Sequence, residues 1–252
     1  MRLPVGLLLI LICTVSCGKR GALIYPEMAA PTAPAEVTAL QSGSEVKISL
    51  LLPQKDLAGR PLRELAGFKL FKQVTDATKE GACKACSSEA LLAKTVFFDH
   101  PGTAVQRYDN RFILLDSQVH SGIDYVYYVQ SFLQDGTNGV ASLPVTVSVV
   151  PVLAPPALKA VPEPTEVRLE LAAPSPAPGT FVGFSIYRAI KGQPFPYRPL
   201  TKEPVVSRVF SDFGLQRQLM YTYVAKTVVR LPNGALAESA ASDTVEVQLS
   251  ED

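Results

Sequence analysis

Val46-Lys-Ile48-Ser-Leu50-Leu-Leu-Pro53 and Val167-Arg-Leu169-Glu-Leu171-Ala-Ala-Pro174 are two versions of one pattern. Apolar and polar residues alternate with period two and the run stops at a proline, which predicts a half-buried strand ending in a turn. The likeness continues outward. Gly67-Phe68-Lys-Leu70-Phe71-Lys72 is matched by Gly183-Phe184-Ser-Ile186-Tyr187-Arg188. Asp116 precedes Tyr125-Val-Tyr127-Tyr-Val129 at the same distance as Asp212 precedes Tyr221-Thr-Tyr223-Val-Ala225. Each copy then carries an Asn-Gly turn signal, Asn138-Gly139 and Asn233-Gly234, and a closing alternating strand, Val145–Val149 and Thr244–Leu249. Four matched segments in one order make an internal repeat. Short strands parted by Pro, Gly, Asn and Asp predict an all-β chain of tandem antiparallel β-sandwiches, each of about 100 residues.

Composition agrees. The chain has 252 residues with 21 prolines and no tryptophan; interior prolines cost a helix about 3 kcal/mol each, so long helices are excluded. With 24 basic and 23 acidic side chains there is no cationic surplus to displace counterions from nucleic acid, and no nucleic-acid partner is expected. Two histidines, His100 and His120, leave little for His-based catalysis.

The Val-x-Leu strand and the Tyr-x-Tyr-x-Val strand resemble the second and sixth strands of fibronectin type III domains, an immunoglobulin-like architecture. The resemblance implies a first domain over 34–150 and a second over 155–250. Leu50 and Leu171 stand where that family has a buried tryptophan, so each core has less area to bury. It also makes Tyr125 and Tyr221 candidate corner tyrosines, hydroxyl turned to nearby backbone. Between the copies, Pro155-Pro156 reads as a stiff connector holding the domains in a semi-fixed, end-to-end arrangement.

The amino terminus has a different character. Arg2 is followed by an apolar run from Leu3 to Ile12, too short to span about 30 Å of hydrocarbon but suited to a signal peptide over 1–16. Thr14-Val15-Ser16-Cys17 resembles a bacterial lipobox, with Thr14 in place of the usual aliphatic residue. The resemblance implies lipidation, with palmitate among the acyl chains, at Cys17 and membrane attachment through that anchor. Gly18, in place of the aspartate that retains lipoproteins at the inner membrane, implies the outer membrane, on either its periplasmic or its surface face. Residues 17–33, rich in proline and small side chains, read as an extended tether reaching roughly 50 Å at ~3.1 Å per residue. Cys17-Gly18-x-Arg20-Gly21-x-Leu23-x-Tyr25-Pro26 further resembles the mature start of a small outer-membrane lipoprotein family that assists the lipopolysaccharide translocon.

Few residues are arranged for chemistry. No Gly-x-Ser-x-Gly, His-Glu-x-x-His or phosphate-cradling glycine loop occurs, so no catalytic residues, cofactor, resident metal or small-molecule substrate are expected. Cys83 and Cys86 could recruit Asp99 and His100 for zinc, or form a redox pair. The expectation taken is a local disulfide, favoured by export to an oxidising compartment. Phe195, Tyr197 and Arg198, in the proline-rich loop 193–204, are the candidate interaction loop; the competing reading tucks both rings under the sandwich. The function expected is a lipid-anchored protein-binding or scaffolding module of the bacterial envelope, its partner an unidentified envelope protein. The alternatives are a translocon assembly accessory and a carbohydrate-binding module presenting exposed rings at Tyr127, Tyr187, Tyr197 and Tyr223. Intact-mass spectrometry of the exported protein should find the 83–86 pair two hydrogens lighter than its reduced form; a free dithiol or a zinc adduct would reverse the disulfide assignment.

Overall fold

A computed structural model describes residues 25–75, 90–174 and 179–250. The first copy contributes β1 (Ala35–Ser42), β2 (Glu45–Leu51), β3 (Leu65–Thr75), β4 (Leu91–Phe97), β5 (Val105–Tyr108), β6 (Arg111–Asp116), β7 (Ile123–Leu133), β8 (Asn138–Ala141) and β9 (Val145–Val149). One layer runs β1-β2-β6-β5; the other runs β4-β3-β7, with β8 and β9 both on β7. The second copy contributes β10 (Ala157–Pro162), β11 (Glu166–Ala172), β12 (Thr180–Ile190), β13 (Val209–Phe213), β14 (Tyr221–Arg230), β15 (Leu236–Glu238) and β16 (Val245–Val247). Its layers are β10-β11-β13 and β12-β14, with β15 and β16 on β14. Pairing inside each copy is antiparallel. In both, the alternating strand lies between the first strand and the one preceding Tyr-x-Tyr. These are tandem sandwiches with the fibronectin type III strand order.

Each copy closes over its own core. Val46, Ile48 and Leu50 from β2 meet Phe68, Leu114, Tyr127 and Val129 in the first; Val167, Leu169 and Leu171 from β11 meet Phe184, Ile186 and Tyr223 in the second. The leucines in the tryptophan position are both buried. In the first copy the missing ring is offset by a phenylalanine trio. Phe112, the register partner of Leu50, packs 5.4 Å edge-on to Phe68 and 5.1 Å from Phe98.

The repeat extends to polar chemistry. Asp116 accepts hydrogen bonds from Tyr127 (2.9 Å) and Lys72 (2.8 Å); Asp212 accepts them from Tyr223 (2.7 Å) and Arg188 (2.8 Å). Burial raises the Asp116 carboxyl, but the hydrogen bonds from Lys72, the Gln118 amide and Tyr127 outweigh it and hold the group below the usual carboxylate range. Burial and the neighbouring carboxylate together push the Tyr127 and Tyr223 phenols far above their ordinary value. Both corner tyrosines form: the His120 amide donates to Tyr125 Oη and the Gln216 amide to Tyr221 Oη, each at 2.9 Å. Ser142 and Ser242 repeat a third device, each hydroxyl accepting a β7 or β14 amide (Val129, Ala225) at 3.0 Å.

Two expectations need correction. The first-copy turn is not at Asn138-Gly139, which lie inside β8. It falls at Asp135-Gly136, where Asp135 Oδ1 accepts the Thr137 amide as Asn233 Oδ1 accepts the Ala235 amide in the second copy. Gly136 and Gly234 take matching left-handed φ of 87° and 85°. Gly139 serves another purpose: a Cβ there would lie 2.7 Å from Pro31. This is also why the tether reading fails over its second half. A short 3-10 turn at Pro26–Ala29 leads to Pro31, whose carbonyl accepts the Val140 amide (2.9 Å), while the Thr32 amide donates to Lys55 (3.1 Å). Residues 25–34 are a strap on the first sandwich.

Gly67 and Gly183 sit at equivalent irregularities of β3 and β12. A Cβ on Gly67 would collide with the Val96 carbonyl; one on Gly183 would lie 2.8 Å from Pro204 Cβ and 2.9 Å from the Val205 oxygen. Gly183→Ala should therefore lower the urea unfolding midpoint by an amount worth ~1–3 kcal/mol with little change in slope. An unchanged midpoint would mean that the Pro204–Val205 segment yields at no cost.

Candidate binding cleft at the seam between the sandwiches

The copies are joined by more than the chain between them. β1 pairs in parallel with β15, Gln41 opposite Ala237 and Ser42 opposite Glu238. One sheet therefore runs β12-β14-β15-β1-β2-β6-β5 across both copies. Gln41, buried, clamps the passage between them: its Nε2 donates to the Val150 carbonyl (2.8 Å) and its Oε1 accepts the Val150 amide (2.9 Å). Leu153, Val229, Leu231 and Ala237 make a small apolar core at the seam. Expected rigidity was placed in Pro155-Pro156; strand pairing and side-chain clamps fix the arrangement instead.

Beside this pairing lies a buried ionic cluster. The Glu238 side chain is 3% exposed and Lys47, its partner at 2.8 Å, 12%. Glu238 Oε1 accepts from Lys47 (2.9 Å) and Tyr187 Oη (2.8 Å); Oε2 accepts from Lys47 (2.8 Å) and Ser42 Oγ (2.6 Å). Lys47 Nζ also donates to Tyr187 Oη at 2.9 Å. Burial would raise the Glu238 carboxyl, yet Lys47, Ser42 and Lys226 hold it below its ordinary value. Lys226 donates to Ser42 Oγ at 2.7 Å. Burial pulls its ammonium below the usual lysine range, against the attraction of Glu238.

Over these groups opens a cleft of about 360 Å³ whose wall includes the loop 193–204. That loop docks on the first copy. Gln106 Nε2 donates to the Phe195 carbonyl (3.0 Å), the Tyr197 amide donates to Gln106 Oε1 (2.7 Å) and Tyr197 Oη donates to the Thr103 carbonyl (3.3 Å). Phe195 and Tyr197 are half-buried and line the cleft, while Arg198 is exposed. Tyr127, Tyr187 and Tyr223 are buried, so those positions offer no row of exposed rings to a sugar. Asp99 and His100 lie together at the surface, 3.2 Å apart. Cys17, Cys83 and Cys86 lie outside the described residues.

The seam cluster was missed in the sequence, and its signal is divergence between the copies. Tyr187 stands where the first copy has Phe71, and Lys226 where it has Gln130. Lys47 corresponds to Arg168, which pairs at the surface with Glu163 and Glu170.

No protein-family model matches the chain, and neither does any curated protein. A solved structure similar to it is the crystal structure of chicken CNTN1 FN1-FN3 domains, 12% identical, covering 88% of this chain and 67% of that one with a TM-score of 0.33.

Glu238→Gln leaves a buried ammonium without its carboxylate and should cost about 3 kcal/mol at neutral pH. Because the folded carboxyl titrates below the usual 4.5, its contribution is complete above that value and fades as pH falls through the depressed one. Urea unfolding of wild type and variant should diverge at pH 7 and converge in acid; a gap constant with pH would remove the ion pair from the seam's stability.

Proposed function

We propose that this chain is a lipid-anchored protein of the bacterial outer membrane whose two sandwiches act as one rigid protein-binding or scaffolding module. The observation that carries the module is the seam: a sheet continuous over both copies, with a buried carboxylate whose donors come from both. A pair fused this way offers a single broad surface instead of two independently moving ones, which reduces the ordering cost of binding a large partner. The anchor rests on Met1–Cys17, with its Arg2, short apolar run and lipobox-like Thr14-Val15-Ser16-Cys17, and on Gly18 for the choice of membrane. Two or three acyl chains at ~0.8 kcal/mol per buried methylene give lasting attachment.

The strap revises the geometry of display. With 25–34 laid on the first sandwich, only residues 18–24 remain between lipid and body. At ~3.5 Å per residue these span at most about 25 Å, so the first sandwich is held close to the bilayer. A second reading, assistance to the lipopolysaccharide translocon, is favoured by the motif over residues 17–26 alone.

Palmitate labelling followed by membrane fractionation tests the anchor: wild type should carry label and sediment with outer membranes, and Cys17→Ala should do neither. Pull-down from detergent-solubilised envelopes tests the module. A specific envelope protein recovered with wild type supports it, recovery of translocon subunits selects the second reading, and an unlabelled wild type or an empty pull-down overturns the proposal.

A further inference from the structure

The two lysines of the seam are not in equivalent states. Lys47 Nζ donates to both Glu238 oxygens and to Tyr187 Oη, filling its three N–H directions. Lys226 Nζ donates to Ser42 Oγ alone and, among the described residues, lies within ion-pair distance of no carboxylate. Glu238 has no capacity to spare: each oxygen already receives two hydrogen bonds. The cluster itself holds two ammonium groups and one carboxylate, while Glu45 on the cleft wall attracts Lys226 from farther off. Lys226 lines the cleft; its Nζ also lies 5.8 Å from the centre of the Tyr187 ring, and among the described residues two of its N–H groups make no hydrogen bond. A partly desolvated cation with open donors attracts an anion, because a charge-assisted hydrogen bond is roughly twice as strong as a neutral one and gains further where water is scarce.

The rest of the cleft selects the kind of anion. Leu115, Phe195, Pro196 and Val224 make an apolar wall, and about 360 Å³ suits a small ligand or one side chain with its terminal carboxylate. Glu45 also lines the cleft without pairing with either lysine. Its charge acts against polyanions such as phosphate esters while leaving room for a single negative charge. We propose that the cleft binds an organic carboxylate with an apolar body, the carboxylate accepting from Lys226 Nζ and the body lying against Phe195 and Leu115. This rests on the cleft and not on the anchoring proposal, so either can fail without the other.

Such a carboxylate is found on a free amphiphilic acid and on a polypeptide C-terminus, and the test separates them. The full-length protein is titrated by calorimetry with 4-phenylbutyrate, N-acetyl-Ala-Phe and N-acetyl-Ala-Phe amide. The two acids should bind and the amide at least about tenfold more weakly, a gap worth 1.4 kcal/mol. A dipeptide clearly tighter than phenylbutyrate identifies a chain terminus; equal affinities identify a free acid. Lys226→Met should abolish binding. Because that residue borders the seam, Ala241→Phe, at an exposed position of the cleft wall, serves as a second variant that should block the cleft with the unfolding midpoint unchanged. Amide and acids binding alike, or acids failing to bind into the millimolar range, would overturn the assignment.

Discussion

Glu238 keeps its charge where almost no solvent reaches it, and four hydrogen bonds hold it there. Isolating an ion in such a place costs several kcal/mol, so the site is tolerable only when every donor is in position. Those donors are split between the copies: Ser42 and Lys47 belong to the first, Tyr187 to the second. Two residue pairs of parallel strand are a weak weld by themselves. With the carboxylate beside them, sliding β1 along β15 strands a buried charge, and the relation between the sandwiches becomes specific.

Much of the fold could be read from the sequence because it is written twice. Period-two alternation located β2 and β11, and the resemblance of the Tyr-x-Tyr-x-Val strand to a fibronectin type III strand pointed to both corner tyrosines. The Asp116–Tyr127 and Asp212–Tyr223 bonds follow from the shared Asp-to-Tyr spacing, since a fixed offset between two strands of facing layers brings the same atoms together in each copy. Two Asx-Gly signals lie within five residues, and the sequence reading takes the wrong one, Asn138-Gly139. The structure chose Asp135-Gly136, because Gly139 is occupied in admitting Pro31.

The candidate site was hidden for the opposite reason. A repeat draws attention to what the copies share, whereas a seam between them is built from what they do not: a tyrosine hydroxyl in place of a phenylalanine hydrogen, a lysine in place of a glutamine. Proline-rich composition made residues 17–33 look uniformly extended, yet the strap is held by main-chain hydrogen bonds that composition does not encode. The loop around Phe195 and Tyr197 was expected to meet a partner; the surface its backbone meets is the other half of the same chain.

The short parallel ladder between β1 and β15 also bears on how such a protein survives at high local density. A sheet edge left open is a template on which a neighbouring molecule can add a strand, and near-duplicate modules in one chain are prone to exchanging strands. Here β1 and β15 spend their outer edges on each other over the paired residues. Two sites of potential self-recruitment are thereby converted into an internal joint, and concentrated molecules have two fewer places at which to polymerise.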